Sequence, residues 1–164
     1  MTPQQEYLAL YQRMADICTE QEWGDPFSYA RSKEIYAAIK LGHTVSETLS
    51  GADAYREDGA PLEYKSTIGP NCQGAYTGIS VQPSWQEQVT YLTNEKIGKY
   101  PEHFYNRFEG GQLVESWKMS GDKVLEILLT KLEKSFPRVK TLKDPRLAAT
   151  ITWSEIQDQG EKVF

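Results

Sequence analysis

Asp53-Ala54-Tyr55-Arg56-Glu57-Asp58-Gly59-Ala60-Pro61-Leu62-Glu63-Tyr64-Lys65-Ser66-Thr67-Ile68 is the stretch on which the reading of this chain turns. Leu62 to Ile68 alternates as a β-strand does, and Pro61 suits a strand's first position. Glu57-Asp58-Gly59-Ala60 is a turn signal built on Asp-Gly, and the residues from Ala52 to Tyr55 are short and extended. The two make a hairpin, which Gly69-Pro70-Asn71 ends. Side chains alternate faces along a strand, so Glu63 and Lys65 project to one side while Leu62, Tyr64 and Ser66 point to the other. The turn folds Asp53 back toward Glu63. Two carboxylates and one ammonium are thus expected at one spot on the sheet.

Outward from the hairpin, the N-terminal quarter reads as helical. Thr2-Pro3-Gln4-Gln5 is a helix start, with Thr2 as N-cap, Pro3 in the first turn and Gln5 closing a capping box. Tyr7, Tyr11, Met14 and Cys18 follow at helical spacing, a stripe that fits a core face better than an interface. Asp25-Pro26 signals a second start, for a helix through Tyr29, Ile35, Tyr36 and Ile39 that stops at Gly42. Beyond the hairpin, Tyr76 to Val81 reads as a strand, and Pro83-Ser84 opens a helix carrying Trp85, Val89 and Leu92. His103 to Phe108 and Gln112 to Trp117 flank Glu109-Gly110-Gly111 as a second hairpin. Ser120 caps a helix with Val124, Ile127, Leu128 and Leu132 as its stripe, ending near Ser135-Phe136-Pro137. Leu147 to Ile156 alternates as a last strand. The order predicts one mixed α/β domain over 1–164, a central sheet flanked by helices, with 1–45 as a helical part suited to dimerisation and 46–164 as the core.

The chain has 164 residues, enough for one domain. Ten Tyr and four Trp can fill a core without disulfides, so Cys18 and Cys72 are expected as free thiols of a reducing compartment. His43 and His103 are the only histidines, and neither has a metal-ligand spacing, which leaves a zinc site or a Ser–His or Cys–His triad without support. The opening residues lack a signal-peptide pattern, and no apolar run approaches the roughly 18 residues that would span a bilayer. The expectation is a cytoplasmic protein with no membrane partner. A net charge of −5 weighs against a nucleic-acid partner. Metal ions held by clustered carboxylates reverse the local sign, however. Basic residues also group, as Arg31, Lys33 and Lys40, as Lys96 and Lys99, and as Arg138, Lys140, Lys143 and Arg146. Charge by itself leaves the partner open.

Phosphodiester hydrolysis sets a water against a polyanionic phosphate and must stabilise the charge that builds there. A hard cation on oxygen ligands does both, and magnesium uses one or two carboxylates plus phosphate oxygens. Asp53 and Glu63 have the required chemistry, together with the main-chain carbonyl of Tyr64. Lys65 beside them would orient the nucleophile, offset charge or act as a base, and the residues do not choose among these. The bland reading is a solvent-facing strand with an ordinary Glu–Lys pair.

Ser50-Gly51-Ala52-Asp53-Ala54 with Leu62-Glu63-Tyr64-Lys65-Ser66 resembles the active-site hairpin of the PD-(D/E)XK nuclease superfamily, and within it the type II restriction endonucleases. The likeness is strongest over residues 50 to 67 and looser through 103–135 and 147–164. Ala52 stands where the superfamily name puts Pro. The loop after Ile68 has Asn71, Cys72 and Gln73 where the most similar members carry histidines. The resemblance implies a restriction-endonuclease-like fold with Asp53 and Glu63 as metal ligands and Lys65 as the catalytic lysine. It also implies Mg2+, with Mn2+ as a substitute, no organic cofactor, double-stranded DNA as substrate and a homodimer that cuts both strands. A further acidic ligand from the preceding helix would be Glu34, with Glu47 as its competitor. Asn71, Gln73, Gln82 and Gln86 are candidates for base contacts. A phage or mobile-element nuclease of loose specificity is the first alternative, and a non-catalytic binding module the second.

Overall fold

The computed structural model describes residues 1–47 and 50–164. In chain order the first half holds α1 (Pro3–Glu20), α2 (Arg31–Leu41), β1 (Thr44–Val45), β2 (Ala54–Tyr55), β3 (Pro61–Thr67), β4 (Gly74–Ser80) and α3 (Trp85–Tyr91). A π-helical turn, Leu92–Lys96, continues α3. Then come β5 (Glu102–Glu109), β6 (Gln112–Ser120), α4 (Gly121–Val139), β7 (Arg146–Ile151), α5 (Trp153–Gln159) and β8 (Glu161–Lys162). The class is mixed α/β. None of the described helices is long and apolar enough to cross a membrane.

Both expected hairpins are present. In the first, β2 pairs antiparallel with β3, Ala54 facing Leu62, and Gly59 supplies the positive φ of 84° that its turn requires. In the second, Gly110 and Gly111 join β5 to β6. The two hairpins meet because β3 lies parallel to β5, which gives one sheet in the order β1-β2-β3-β5-β6-β8. A parallel pair needs a long crossover, and β4, α3 and the π-turn are that crossover. β4 itself pairs with β7 in a separate two-stranded sheet.

Alternation divides the sheet between two cores. On one face Leu62 and Tyr64 of β3 join Phe104 and Phe108 of β5 against Ile35, Ala37 and Ala38 of α2. On the other, Tyr105 and Met119 meet Tyr76 of β4 and the inner row of α4, which is Val124, Leu128, Leu132 and Phe136. Glu63 and Lys65 have the parity of this second face. Cys18 and Cys72 are both free and buried.

Five local expectations are corrected. The second helix starts at Arg31, not at Asp25-Pro26, because the Asp25 carboxylate closes its own turn by accepting from the Phe27 N–H and the Ser28 hydroxyl. Tyr29 then takes a positive φ of 49° that no helix allows. The α1 stripe is not core: Tyr7, Tyr11 and Met14 are exposed, and only Cys18 is buried. The helix α4 runs through Pro137 to Val139, since a proline so near the end forfeits little and Phe136 and Val139 are buried beside it. The last strand stops at Ile151, where Thr152 and Glu155 form a capping box and turn the chain into α5. Nor does Arg31 belong to a basic face. It is buried, donating to the carbonyls of Trp23 and Ser46 and pairing with Glu34 at 3.4 Å.

Candidate active site

The β2–β3 hairpin holds Asp53 from two sides. Its N–H donates to the Leu62 carbonyl at 3.0 Å, and its Oδ2 accepts from the Tyr64 N–H at 2.7 Å. Glu63 and Lys65, two residues apart on one face of β3, join through Oε1 and Nζ at 2.6 Å, and both are largely shielded from water. The Lys65 ammonium lies 4.7 Å from the ring centre of Tyr76, a cation–π distance. Asp53, Glu63, Lys65 and Tyr76 line one cleft of about 270 Å³, with Lys96 and Lys99 also on its wall.

The carboxylates crowd one another electrically. Burial, then the Glu63 charge, then the Glu34 charge push the Asp53 pKa up to about 8, against the Tyr64 N–H and Lys65, which favour ionisation. Glu34 on α2 is raised as well, first by burial and then, after relief from Arg31, by Glu63. It does not line the cleft, yet its field reaches both other carboxylates. Glu47 does not join them, for it is exposed near Cys18 and Thr19 at the end of α1. Of the two competitors, the fold brings Glu34 toward the set. The Tyr64 hydroxyl is directed away, to His43 Nδ1 at 2.5 Å, so only its main-chain oxygen is left for a ligand role.

The hard carboxylate oxygens of Asp53 and Glu63, with the Glu34 charge acting on both, are of the kind that magnesium binds. Among the described residues no three acidic, His or Cys side chains already close on one point at ligating distance. Magnesium needs only one or two of them, water and phosphate oxygens completing its octahedron.

The proposed base readers stand apart from this cleft. Asn71 and Gln73 are exposed in the β3–β4 loop, and Gln86 is exposed on α3. Gln82 is committed to its own turn, its side-chain amide donating to the Ser80 carbonyl and its N–H to Gln88 Oε1.

Beside the cleft lies a buried chain of hydrogen bonds that single-strand periodicity does not announce. The parallel register sets His103 beside Glu63 and Tyr105 beside Lys65. His103 Nε2 contacts the Ile97 carbonyl at 3.1 Å; a carbonyl only accepts, so Nε2 carries the proton. Nδ1 must then accept from the Tyr76 hydroxyl at 2.8 Å, and Tyr76 in turn accepts from Tyr105 at 3.0 Å. One donor direction runs from Tyr105 through Tyr76 and His103 to Ile97. The alternation His103-x-Tyr105 was the one visible hint.

That chain requires a neutral imidazole. Burial pushes the His103 pKa down to about 4, the Ile97 bond opposing and the Lys65 charge assisting. Because the folded value lies below the unfolded one of about 6.5, this group's contribution is intact above pH 6.5 and fades as pH falls toward 4, by at most about 3 kcal/mol. In a proton NMR titration the His103 ring is expected to show no inflection between about pH 7 and 5. An inflection near the value of a free histidine would contradict the chain.

No protein-family model matches this sequence, and neither does any curated protein.

Proposed function

We propose that the protein is a magnesium-dependent endonuclease of the restriction-endonuclease-like type, cutting double-stranded DNA. The observation that carries this reading is the meeting of Asp53, Glu63 and Lys65 in one cleft, with Asp53 so crowded by carboxylates that a cation is the natural relief. Asp53 and Glu63 are the residues to hold the ion, with the Tyr64 carbonyl and Glu34 as further oxygens. When bound, magnesium supplies a Lewis acid for the scissile phosphate and acidifies the attacking water. Lys65, ion-paired with Glu63, enters as a charged donor that offsets the negative charge accumulating on the phosphate. Tyr76 supports it from below, and the water-poor walls keep these charges effective.

Cutting both strands of a symmetric site takes two such clefts, so the working form in this reading is a homodimer. The exposed Tyr7, Leu8, Leu10, Tyr11 and Met14 of α1 form an apolar surface suited to a second copy.

The deciding experiment incubates mixed-sequence plasmid with protein and Mg2+, then sequences the ends. Fixed ends support a sequence-specific enzyme; a smear or nicked circles support the looser nuclease. Cleavage is expected to vanish in Asp53→Ala, Glu63→Ala and Lys65→Ala, with DNA binding kept at least by the last. Calcium is expected to raise the melting temperature of the wild type and not of Glu63→Ala, as a ligand of the folded state does, by about 2.7 kcal/mol at a hundredfold excess over Kd. DNA left intact under every condition would favour the non-catalytic module.

A further inference from the structure

We infer that Lys96 and Lys99 form a phosphate clamp that grips the DNA backbone beside the cleaved bond; the inference rests on the nuclease reading and assigns the residues that give the site its affinity. Both lysines line the cleft of Asp53, Glu63 and Lys65. Counted formally, that lining holds two carboxylates, Asp53 and Glu63, against three ammonium groups, Lys65, Lys96 and Lys99, so it is positive by one before any cation enters. The chain as a whole is at −5, which makes this a local reversal of sign. A polyanion is drawn to such a place, although the chain as a whole is acidic.

These two ammonium groups are also uncommitted. Lys118, by contrast, pairs with Glu102 and Glu161, and Lys131 with Glu155. Neither Lys96 nor Lys99 has a carboxylate partner among the described residues, and Lys99 only lies 5.0 Å over the Tyr100 ring. Their side chains are exposed, and the backbone that carries them is held in place. The π-turn is pinned by buried Leu92 and Ile97, and the N–H groups of Ile97 and Gly98 both donate to the Leu92 carbonyl. A Cβ on Gly98 would come within 2.3 Å of the Thr93 carbonyl oxygen, so this tight return needs glycine. His103 then ties the Ile97 carbonyl to β5, the strand beside β3. The π-turn is thereby locked to the catalytic strand, and π-turns of this kind recur at functional sites. A clamp on flexible side chains and a fixed base gives affinity and register without reading sequence.

The test measures binding of a fluorescein-labelled mixed-sequence duplex by anisotropy, with Ca2+ in place of Mg2+, between about 50 and 200 mM salt. Each phosphate contact steepens the dependence of log K on log salt by about 0.9, so Lys96→Ala/Lys99→Ala is expected to be shallower by about 1.8. Its affinity deficit then grows roughly tenfold as salt falls across that range. Lys96→Arg/Lys99→Arg should restore the slope, and Lys96→Gln/Lys99→Gln should repeat the alanine result while keeping the aliphatic stems, which covers loss of folding. An unchanged slope and Kd in folded neutral variants, with the wild type still cutting plasmid, overturns the clamp and leaves the nuclease standing. A wild type that neither binds nor cuts duplex DNA overturns both.

Discussion

Asp53→Asn is expected to melt higher than the wild type without metal while losing DNA cleavage by roughly 10³-fold or more. The two effects share one cause. In the folded protein the Asp53 carboxyl is buried against Glu63 and Glu34, and its pKa rises to about 8. A carboxyl raised in this way contributes stability that is complete below its unfolded value of about 4 and is lost as pH climbs through the folded one. At neutral pH the unfolded chain has lost this proton while the folded carboxyl largely keeps it, so the wild type is less stable by on the order of 2–4 kcal/mol than the same fold without the titrating group. Asparagine removes the charge and keeps an oxygen for the Tyr64 N–H. The stability gap between variant and wild type should be near zero at about pH 4 and widest near pH 8. Calcium should close it by stabilising the wild type alone. Urea unfolding of both proteins across that range, with and without calcium, checks each part. A gap that shrinks with rising pH would mean that the three carboxylates do not share a field.

Leu128→Ala is expected to cost about 3 kcal/mol, within the range of about 2–5 for a buried leucine, with little change in the urea m-value. Leu128 is fully buried on the row of α4 that faces Tyr105, Met119 and the β4–β7 pair, where a lost isobutyl group leaves a cavity. For a chain of this size the melting temperature falls by roughly 6–12 °C. Glu126→Ala, on the exposed side of the same helix, should stay within about 0.5 kcal/mol. Below its melting point the leucine variant should still cut, since Leu128 is not itself among the residues that line the cleft. A loss no larger than that of Glu126→Ala would mean that α4 is not seated on the sheet.

Where the physics was local, the residues could be read directly. Thr2, Pro3 and Gln5 are a capping box because a helix start needs partners for its free N–H groups, and the structure has that box. Asp58-Gly59 makes a hairpin because glycine takes the positive φ of the turn, and strand alternation then puts Glu63 and Lys65 on one face. The same local reasoning misread the 147–156 segment, where alternation masked the Thr152–Glu155 box. It also misjudged α1, where helical spacing shows a stripe without saying whether anything covers it.

By itself, then, the chain determined its hairpins, most helix ends and the convergence of Asp53, Glu63 and Lys65, all of which follow from the backbone rules of neighbouring residues. Only the tertiary structure decided that β3 runs parallel to β5, which sets His103 and Tyr105 beside Glu63 and Lys65. It also decided that Glu34 and not Glu47 approaches the carboxylates, and that the π-turn swings Lys96 and Lys99 into the cleft. Those pairings join residues far apart along the chain. They are chosen by how two apolar faces of a sheet can be covered at once, a global demand that no short stretch of side chains records.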